Sequence, residues 1–197
     1  MKRIFLLLLV TVTALPLTAQ ENKLWRDSWN INAHYGFETQ SDYMDFSSAT
    51  VSGGYRKFLY WGLFVMPEVS LHYQYYDATR TARVEGGSPS RVDCTIDRYG
   101  LGLDAMLGVR IPIAEKVGID LMTGPYIGYS PIKTESWYLD KESLRDFEFR
   151  WRFGIGVSVL DKVSVSAYYD LVSDKLRKDD ETTARSDIFS IGIGYTF

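Results

Sequence analysis

The sequence predicts an all-β fold, an eight-stranded antiparallel up-and-down transmembrane β-barrel, and two observations lead to this prediction. Apolar and polar residues alternate over most of the 197-residue chain after residue 27, and a period of two places successive side chains on opposite faces of a strand. Long and short connections also alternate along the chain, which places all the long ones at one end of the meander, as in membrane-spanning barrels.

The N-terminus has the layout of a secretory signal peptide. Two basic residues precede an unbroken apolar run, Ile4 to Val10, and Ala19 offers a small residue before the expected cleavage point. The apolar run is too short to span a bilayer comfortably. We therefore expect residues 1–19 to be removed on export and residues 20–197 to form a single β-barrel domain.

Five segments in the second half of the chain show the alternation most clearly, because their odd-numbered residues are apolar or aromatic with Thr123 as the polar exception. Three earlier segments follow the pattern less strictly. The predicted strands are 29–37, 49–55, 63–76, 98–111, 117–129, 147–159, 163–171 and 189–197. The long connections are predicted at 38–48, 77–97, 130–146 and 172–187, and the short ones at 59–61, 112–116 and 161–162.

Three observations predict that the odd-numbered face meets lipid and the even-numbered face lines the interior. The large odd-numbered side chains would overfill an eight-stranded barrel, whose interior is just wide enough for side chains. All strand glycines after residue 97 are even-numbered. Glycine weakens a strand, so its concentration on one face indicates a narrow interior with little room for side chains. The even face also carries five acidic residues and five arginines, a balance that suggests internal pairing because an unpaired buried charge is strongly unfavourable.

We therefore predict an interior polar network, and we expect His34 to join it. The network consists of Glu68, His72, Arg98, Asp104, Arg110, Asp120, Glu148, Arg150, Arg152 and Asp170.

Aromatic residues cluster at both ends of the predicted strands, as in the interfacial belts of membrane barrels. Tyr73, Tyr75, Tyr99, Tyr129 and Tyr169 adjoin the long connections, and Tyr60, Trp61, Tyr195 and Phe197 adjoin the short ones.

Two prolines do not fit regular strands. Pro67 and Pro125 each remove a hydrogen bond from the interior of a closed sheet, so we expect a local bulge at each.

The chain resembles the small outer-membrane β-barrel proteins of the OmpA/OmpX type from Gram-negative bacteria, over residues 27–197. The most specific part is the C-terminal strand, which ends on an aromatic residue after alternating apolar ones: Phe189, Ile191, Ile193, Tyr195 and Phe197. The resemblance implies that these residues form the signal read by the barrel assembly machinery. It also implies outer-membrane localisation, contact with outer-membrane lipid, periplasmic termini and four extracellular loops.

The function favoured by the sequence is structural or surface-interacting, through the extracellular loops, without catalysis and as a monomer. One alternative is a lipid acyl hydrolase that uses Glu68, Ser70 and His72, which share one face of a strand. However, side chains two residues apart on a strand are about 7 Å apart, which is too far for a serine–histidine hydrogen bond. Another alternative is a narrow pore lined by Arg98, Arg110, Arg150 and Arg152, although eight strands leave no aqueous lumen.

Composition argues against several other classes of function. The formal net charge of −3 gives no basic surplus for nucleic acid. One cysteine excludes an intramolecular disulfide framework and a four-cysteine zinc site, and two histidines argue against a histidine-rich metal site. We expect no cofactor and no metal, and the ligand of the loops is not identified by their composition.

Overall fold

A computed structural model of the chain describes residues 25–39, 44–82, 90–135, 145–160, 162–172 and 187–197. The predicted signal peptide and most of the long connections lie outside these residues. Among the described residues there is no helix with the length and apolarity needed to cross a bilayer.

The described chain forms a closed barrel in which each strand pairs with the next and the last pairs with the first. All eight pairings are antiparallel, which confirms the predicted up-and-down architecture. The strands are β1 Ser28–Glu38, β2 Met44–Tyr60, β3 Leu63–Ala82, β4 Ser90–Ala114, β5 Val117–Glu135, β6 Phe147–Val159, β7 Val163–Val172 and β8 Ile188–Thr196.

The two faces of the barrel are the two predicted from parity. Away from the strand ends, even-numbered residues are buried or half-buried, whereas odd-numbered apolar residues are exposed or half-buried. Closure of the barrel gives the main-chain N–H and C=O groups of every strand a partner on the neighbouring strand. The outer face can then expose apolar side chains to lipid, and the polar side chains remain inside.

The prediction of a long loop over 77–97 is wrong. The β3–β4 ladder continues to the pair Ala82↔Ser90, so this connection is mostly a strand hairpin. The alternation disappears beyond Tyr75 because Asp77 and Thr79 occupy odd positions, although the main-chain pairing continues. Strands β2 and β5 likewise extend into the connections predicted at 38–48 and 130–146.

The short turn between β2 and β3 lies one residue later than predicted, at Trp61 and Gly62. Both residues have positive φ, 49° and 76°, which is the backbone twist favoured by two-residue hairpins. Glycine suits the second position because it has no Cβ to strain there.

The predicted bulges at the two prolines are wrong. Pro67 pairs with Ala105 in an unshifted ladder, and Pro125 pairs with Trp151 without a shift. Because proline has no N–H, Pro67 is unpaired with β2 and Pro125 is unpaired with β4. In both ladders the register is the same before and after the gap. The register shifts occur instead at Phe58/Tyr60, at Tyr99/Leu101 and at Pro112/Ala114.

Candidate functional site

The strand register brings the charged side chains of the even face together inside the barrel. All ten members of the predicted polar network lie inside, and nine of them are almost completely buried, with Arg152 slightly more accessible. Except for Arg150 and Glu148, which both lie on β6, the pairs described below join residues on different strands, because an inward side chain reaches across a barrel too narrow to hold bulk water.

Arg152 is at the centre of the part of the network that lies nearer the long connections. Its Nε and Nη2 donate two parallel hydrogen bonds to the carboxylate of Asp170, at 2.7 and 2.8 Å, and its Nη1 donates to Asp104 at 3.0 Å. Arg150 donates to Glu148 at 2.8 Å and lies 3.5 Å from Asp170. Bidentate geometry of this kind makes arginine–carboxylate pairs strong and directional.

Asp120 organises a second group nearer the short turns. Arg110 binds its carboxylate with two hydrogen bonds of 2.7 Å, and Arg56 approaches it to 3.3 Å. The Ser158 hydroxyl accepts from Arg110 and donates to Asp120. Arg56 is the fifth of the inward arginines counted on the even face, and it joins this group.

Glu68 differs from the other interior carboxylates. Its Oε1 accepts hydrogen bonds from the amide groups of Asn30 at 2.8 Å and Asn32 at 2.6 Å. Within the described residues no lysine or arginine nitrogen lies within 4.0 Å of its carboxylate. The two amides therefore supply its direct hydrogen bonds.

The Glu68, Ser70 and His72 side chains do not bond to one another. His72 Nε2 lies 2.8 Å from the hydroxyl of Ser130, and its Nδ1 lies 2.9 Å from the hydroxyl of Tyr126. Ser70 Oγ is buried and has no hydrogen-bond partner in the described part of the chain. The serine next to the histidine is thus Ser130 of β5, a residue that spacing along β3 cannot reveal, and it is 0% exposed.

The second histidine also lies on the inner side, as expected. His34 Nε2 lies 3.3 Å from the Ser166 hydroxyl, and its ring contacts Tyr168 edge-on.

Two inward tyrosines contact the arginines, and sequence reasoning missed both. Tyr126 lies under the guanidinium groups of Arg150 and Arg152, and Tyr168 lies under Arg152, at 5.0 to 5.2 Å from ring centroids. Cation–π contacts of this kind are favourable within about 6 Å. A signal was available: Gly102 and Gly154 provide the space for these rings, because an added Cβ would lie 2.5 and 2.6 Å from ring atoms of Tyr126 and Tyr168.

The interior also has two apolar clusters, which were not predicted. The cluster toward the long connections consists of Phe46, Tyr76, Ile96 and Ile188. The other lies between the Arg152 group and the Asp120 group, because Met106 stands between Asp104 and Arg110 on β4. It consists of Phe64, Met66, Met106, Met122 and Tyr168. An ion crossing the barrel would have to pass these apolar groups, so the arginines do not by themselves make a conducting path.

The outer face carries the predicted aromatic residues, arranged as neighbouring pairs of rings. Tyr73 contacts Tyr99, and Tyr129 contacts Phe147. At the end with the short turns the contacts are Trp29–Tyr55, Tyr60–Trp61 and Tyr195–Phe197. The proposed assembly-signal residues of β8 lie on this face, from half-buried Phe189 to Phe197, which is 69% exposed.

Thr123, the polar exception of the odd face, has a structural role. The indole N–H of Trp151 donates to its hydroxyl at 2.9 Å, and that hydroxyl donates to the carbonyl oxygen of Arg152 at 3.0 Å. Hydrocarbon offers no partner to an indole N–H, so the threonine supplies one.

Solved structures with a similar fold include outer-membrane barrels of low sequence identity. Neisserial surface protein A is 14% identical with a TM-score of 0.50, over 87% of this chain and 97% of that chain. The outer membrane enzyme PagL is 13% identical with a TM-score of 0.48, over 85% and 98%. Ail, the attachment invasion locus protein of Yersinia pestis, is 14% identical with a TM-score of 0.41, over 87% and 97%.

Identity this low shows the fold alone, and no curated protein matches the chain. A family model described as the outer membrane protein beta-barrel domain matches residues 4–197. With the closed eight-stranded barrel described above, this match shows that the chain belongs to the outer-membrane protein β-barrel domain family.

Proposed function

We propose that this protein is a non-enzymatic barrel of the outer membrane that holds its β3–β4 hairpin outside the cell as a surface-interaction element. In this proposal residues 1–19 direct export, the termini and short turns face the periplasm, and the barrel acts as a monomer. The extension of β3 and β4 past the outer aromatic belt is the observation that carries the proposal.

The hairpin extends well beyond its neighbours. Pairing of β3 with β2 ends at Met44↔Ala78, and pairing of β4 with β5 ends at Ile96↔Glu135, whereas the β3–β4 ladder continues to Ala82↔Ser90. From Tyr75 to Ala82 the strand rises about 23 Å at the usual spacing. Its edges beyond those pairs have no strand partner among the described residues, and an open edge can add a strand from another protein.

The interior supports a role without catalysis. The Ser130–His72 pair is enclosed in the barrel, and a buried serine offers no approach to a lipid substrate. The three residues of the hydrolase alternative each have different surroundings, as described above. The two apolar clusters, one toward the long connections and one between the charged groups, likewise favour a closed barrel over a narrow pore.

Orientation can be tested by labelling cysteines on intact cells. In a Cys94→Ser background, Asp77→Cys beyond the outer belt is expected to react with a membrane-impermeant maleimide. The matched variant Glu115→Cys, in the short turn between β4 and β5, is expected to react only after lysis. The reverse pattern would contradict the proposed orientation.

The interaction role can be tested by shortening the hairpin. A barrel in which residues 79–93 are replaced by a two-residue turn should lose partners that the intact barrel captures from the environment of the cell. A barrel lacking residues 136–144 serves as the control and should retain them. Both must show the heat-dependent gel shift of folded barrels, and retention of every partner by the shortened hairpin would overturn the role.

The hydrolase alternative has its own test. Ser70→Ala and Ser130→Ala strains are both expected to keep the lipid profile of the wild type. A change in acylation caused by either variant would establish catalysis and overturn the non-enzymatic proposal.

A further inference from the structure

The pairing of β1 with β8 closes the barrel, and it differs from the other pairings because its two strands lie at opposite ends of the chain. The seven other pairings join consecutive strands, so the connecting segment limits the registers that each pair can adopt. All outward residues of β1 and β8 are apolar or aromatic. A slip of two residues would keep such side chains on the lipid face, so the outer face does not determine the closing register.

On the inner face, the His34 side chain of β1 lies across β8 and contacts β7. The register pairs His34 with Gly192, and it pairs Gly192 with Ser166 of β7. His34 Nε2 lies 3.3 Å from the Ser166 hydroxyl, and the imidazole contacts the Tyr168 ring edge-on, with 5.0 Å between centroids. An added Cβ at Gly192 would overlap the imidazole. The ring can therefore cross β8 because the residue that it crosses is glycine.

Asn32 crosses β8 in the same way, one step nearer the short turns. The register pairs Asn32 with Gly194, and it pairs Gly194 with Ser164 of β7. An added Cβ at Gly194 would overlap the Asn32 amide and would lie 2.6 Å from the Ser164 hydroxyl oxygen. The amide nitrogen of Asn32 donates to Glu68 of β3 at 2.6 Å, so the side chain is held in this position from the opposite side.

Only the observed register gives both side chains a glycine to cross. A slip of two residues in one direction would place Ser190 opposite His34, and a slip in the other direction would place Thr196 opposite Asn32. In each case a side chain of β1 would meet a residue whose Cβ occupies the space that it needs, and overpacking of this kind is unfavourable.

We propose that His34 and Asn32, which lie over Gly192 and Gly194, select the register in which β1 pairs with β8 when the barrel closes. The alternation of apolar residues determines which faces of the two strands meet lipid, and the two inward side chains determine which residues stand opposite each other. The position of the two glycines along β8 therefore sets the closing register.

The test moves the pair of glycines along β8 by two residues. Ser190→Gly combined with Gly194→Ala leaves glycine at positions 190 and 192. In this variant, a slip of two residues gives His34 and Asn32 a glycine each, whereas the original register makes Asn32 meet an added methyl group. The closing register is expected to move by two residues.

Disulfide cross-linking between outward cysteines reads the register, because a disulfide requires Cα atoms about 4.4–6.8 Å apart and so joins residues that stand directly opposite each other. In the Cys94→Ser background, Ala33→Cys with Ile193→Cys reports the observed register. Ala33→Cys with Ile191→Cys reports the slipped one. Each variant is produced in cells from the full chain and oxidised with copper–phenanthroline in isolated membranes.

With the original β8, the pair at 33 and 193 should cross-link and the pair at 33 and 191 should not. With the glycines moved, the ratio of the two products should change about tenfold or more toward the pair at 33 and 191, because one overpacked position now opposes the original register. Gly156→Ala, where the nearest atom to the added Cβ is 3.6 Å away, is the control and should keep the original pair. An unchanged ratio in the folded barrel with moved glycines would overturn the proposal.

A second experiment does not depend on folding in the new register. Gly194→Ala should lower the folded fraction at a fixed urea concentration several-fold, as the heat-dependent gel shift reports. Adding Asn32→Ala should restore part of that loss, because the new methyl group then occupies the space that the amide leaves. If Asn32→Ala lowers the folded fraction of Gly194→Ala as much as it lowers that of the wild type, Asn32 does not act through Gly194 and the proposal fails.

Discussion

Arg152 holds Asp170 through two parallel hydrogen bonds inside the barrel, at 2.7 and 2.8 Å, and Asp170 is 1% exposed. This pair differs in kind from Glu68, whose direct hydrogen bonds come from two neutral amides. The difference leads to a prediction about which interior carboxylate the barrel needs most.

Replacing Asp170 by Asn should destabilise the barrel far more than replacing Glu68 by Gln. Asp170→Asn leaves a buried arginine with a weakened partner, and breaking a buried pair costs about 3–5 kcal/mol. Glu68→Gln removes charge from a group held only by amides and should cost about 1 kcal/mol. Urea unfolding in lipid vesicles measures both, and equal losses would contradict this ranking.

Two glycines of the inner face should respond in opposite ways to an added methyl group. In Gly102→Ala the new Cβ would lie 2.5 Å from a carbon of the Tyr126 ring, and overpacking of this kind costs about 1–3 kcal/mol. In Gly156→Ala the nearest atom is 3.6 Å away, so the smaller entropy of the unfolded chain should leave stability unchanged or raise it by about 0.5 kcal/mol. Unfolding midpoints of the two variants test this contrast, and a loss at Gly156 as large as that at Gly102 would refute it.

Thr123 and Trp151 should be energetically coupled across the lipid face. Thr123→Val leaves the indole N–H without its partner and should cost about 1–3 kcal/mol. Trp151→Phe removes the donor as well, so the second substitution should cost less in the Thr123→Val background than alone. A double-mutant cycle on unfolding free energies measures the coupling, and strictly additive effects would show that the hydrogen bond contributes nothing.

The exposed aromatic terminus should matter for assembly and not for stability. The main-chain N–H of Phe197 donates to the carbonyl oxygen of Trp29 at 2.8 Å, and Phe197→Ala keeps this bond. We expect several-fold less folded barrel in the outer membrane of cells making Phe197→Ala, with an unfolding midpoint in vesicles close to wild type. Ile193→Ala, also exposed on β8, is a comparison within the same strand. A wild-type amount of folded barrel in cells would argue against a terminal assembly signal.

Residue parity predicted the strands and their two faces, whereas the face that meets lipid was predicted from side-chain volume, glycine placement and charge balance, and closure from the cost of open sheet edges in lipid. Alternation is a local property, because each side chain points opposite to its neighbours whatever the rest of the chain does. The same pattern failed from Asp77 onward, where polar residues occupy odd positions although the main-chain pairing of β3 and β4 continues. The hairpin of β3 and β4 was therefore mistaken for a loop.

Tertiary structure decided which side chains meet. The sequence contains five inward carboxylates and five inward arginines, but their pairing depends on the register and closure of eight strands. These bring Arg152 within hydrogen-bond distance of both Asp170 and Asp104. They place Glu68 beside the amides of Asn30 and Asn32. His72 likewise meets Ser130 from a different strand, and not Ser70 two residues away. Spacing along one strand determines a face, whereas contact across a barrel depends on the registers of all the strands between, and no local pattern contains that information.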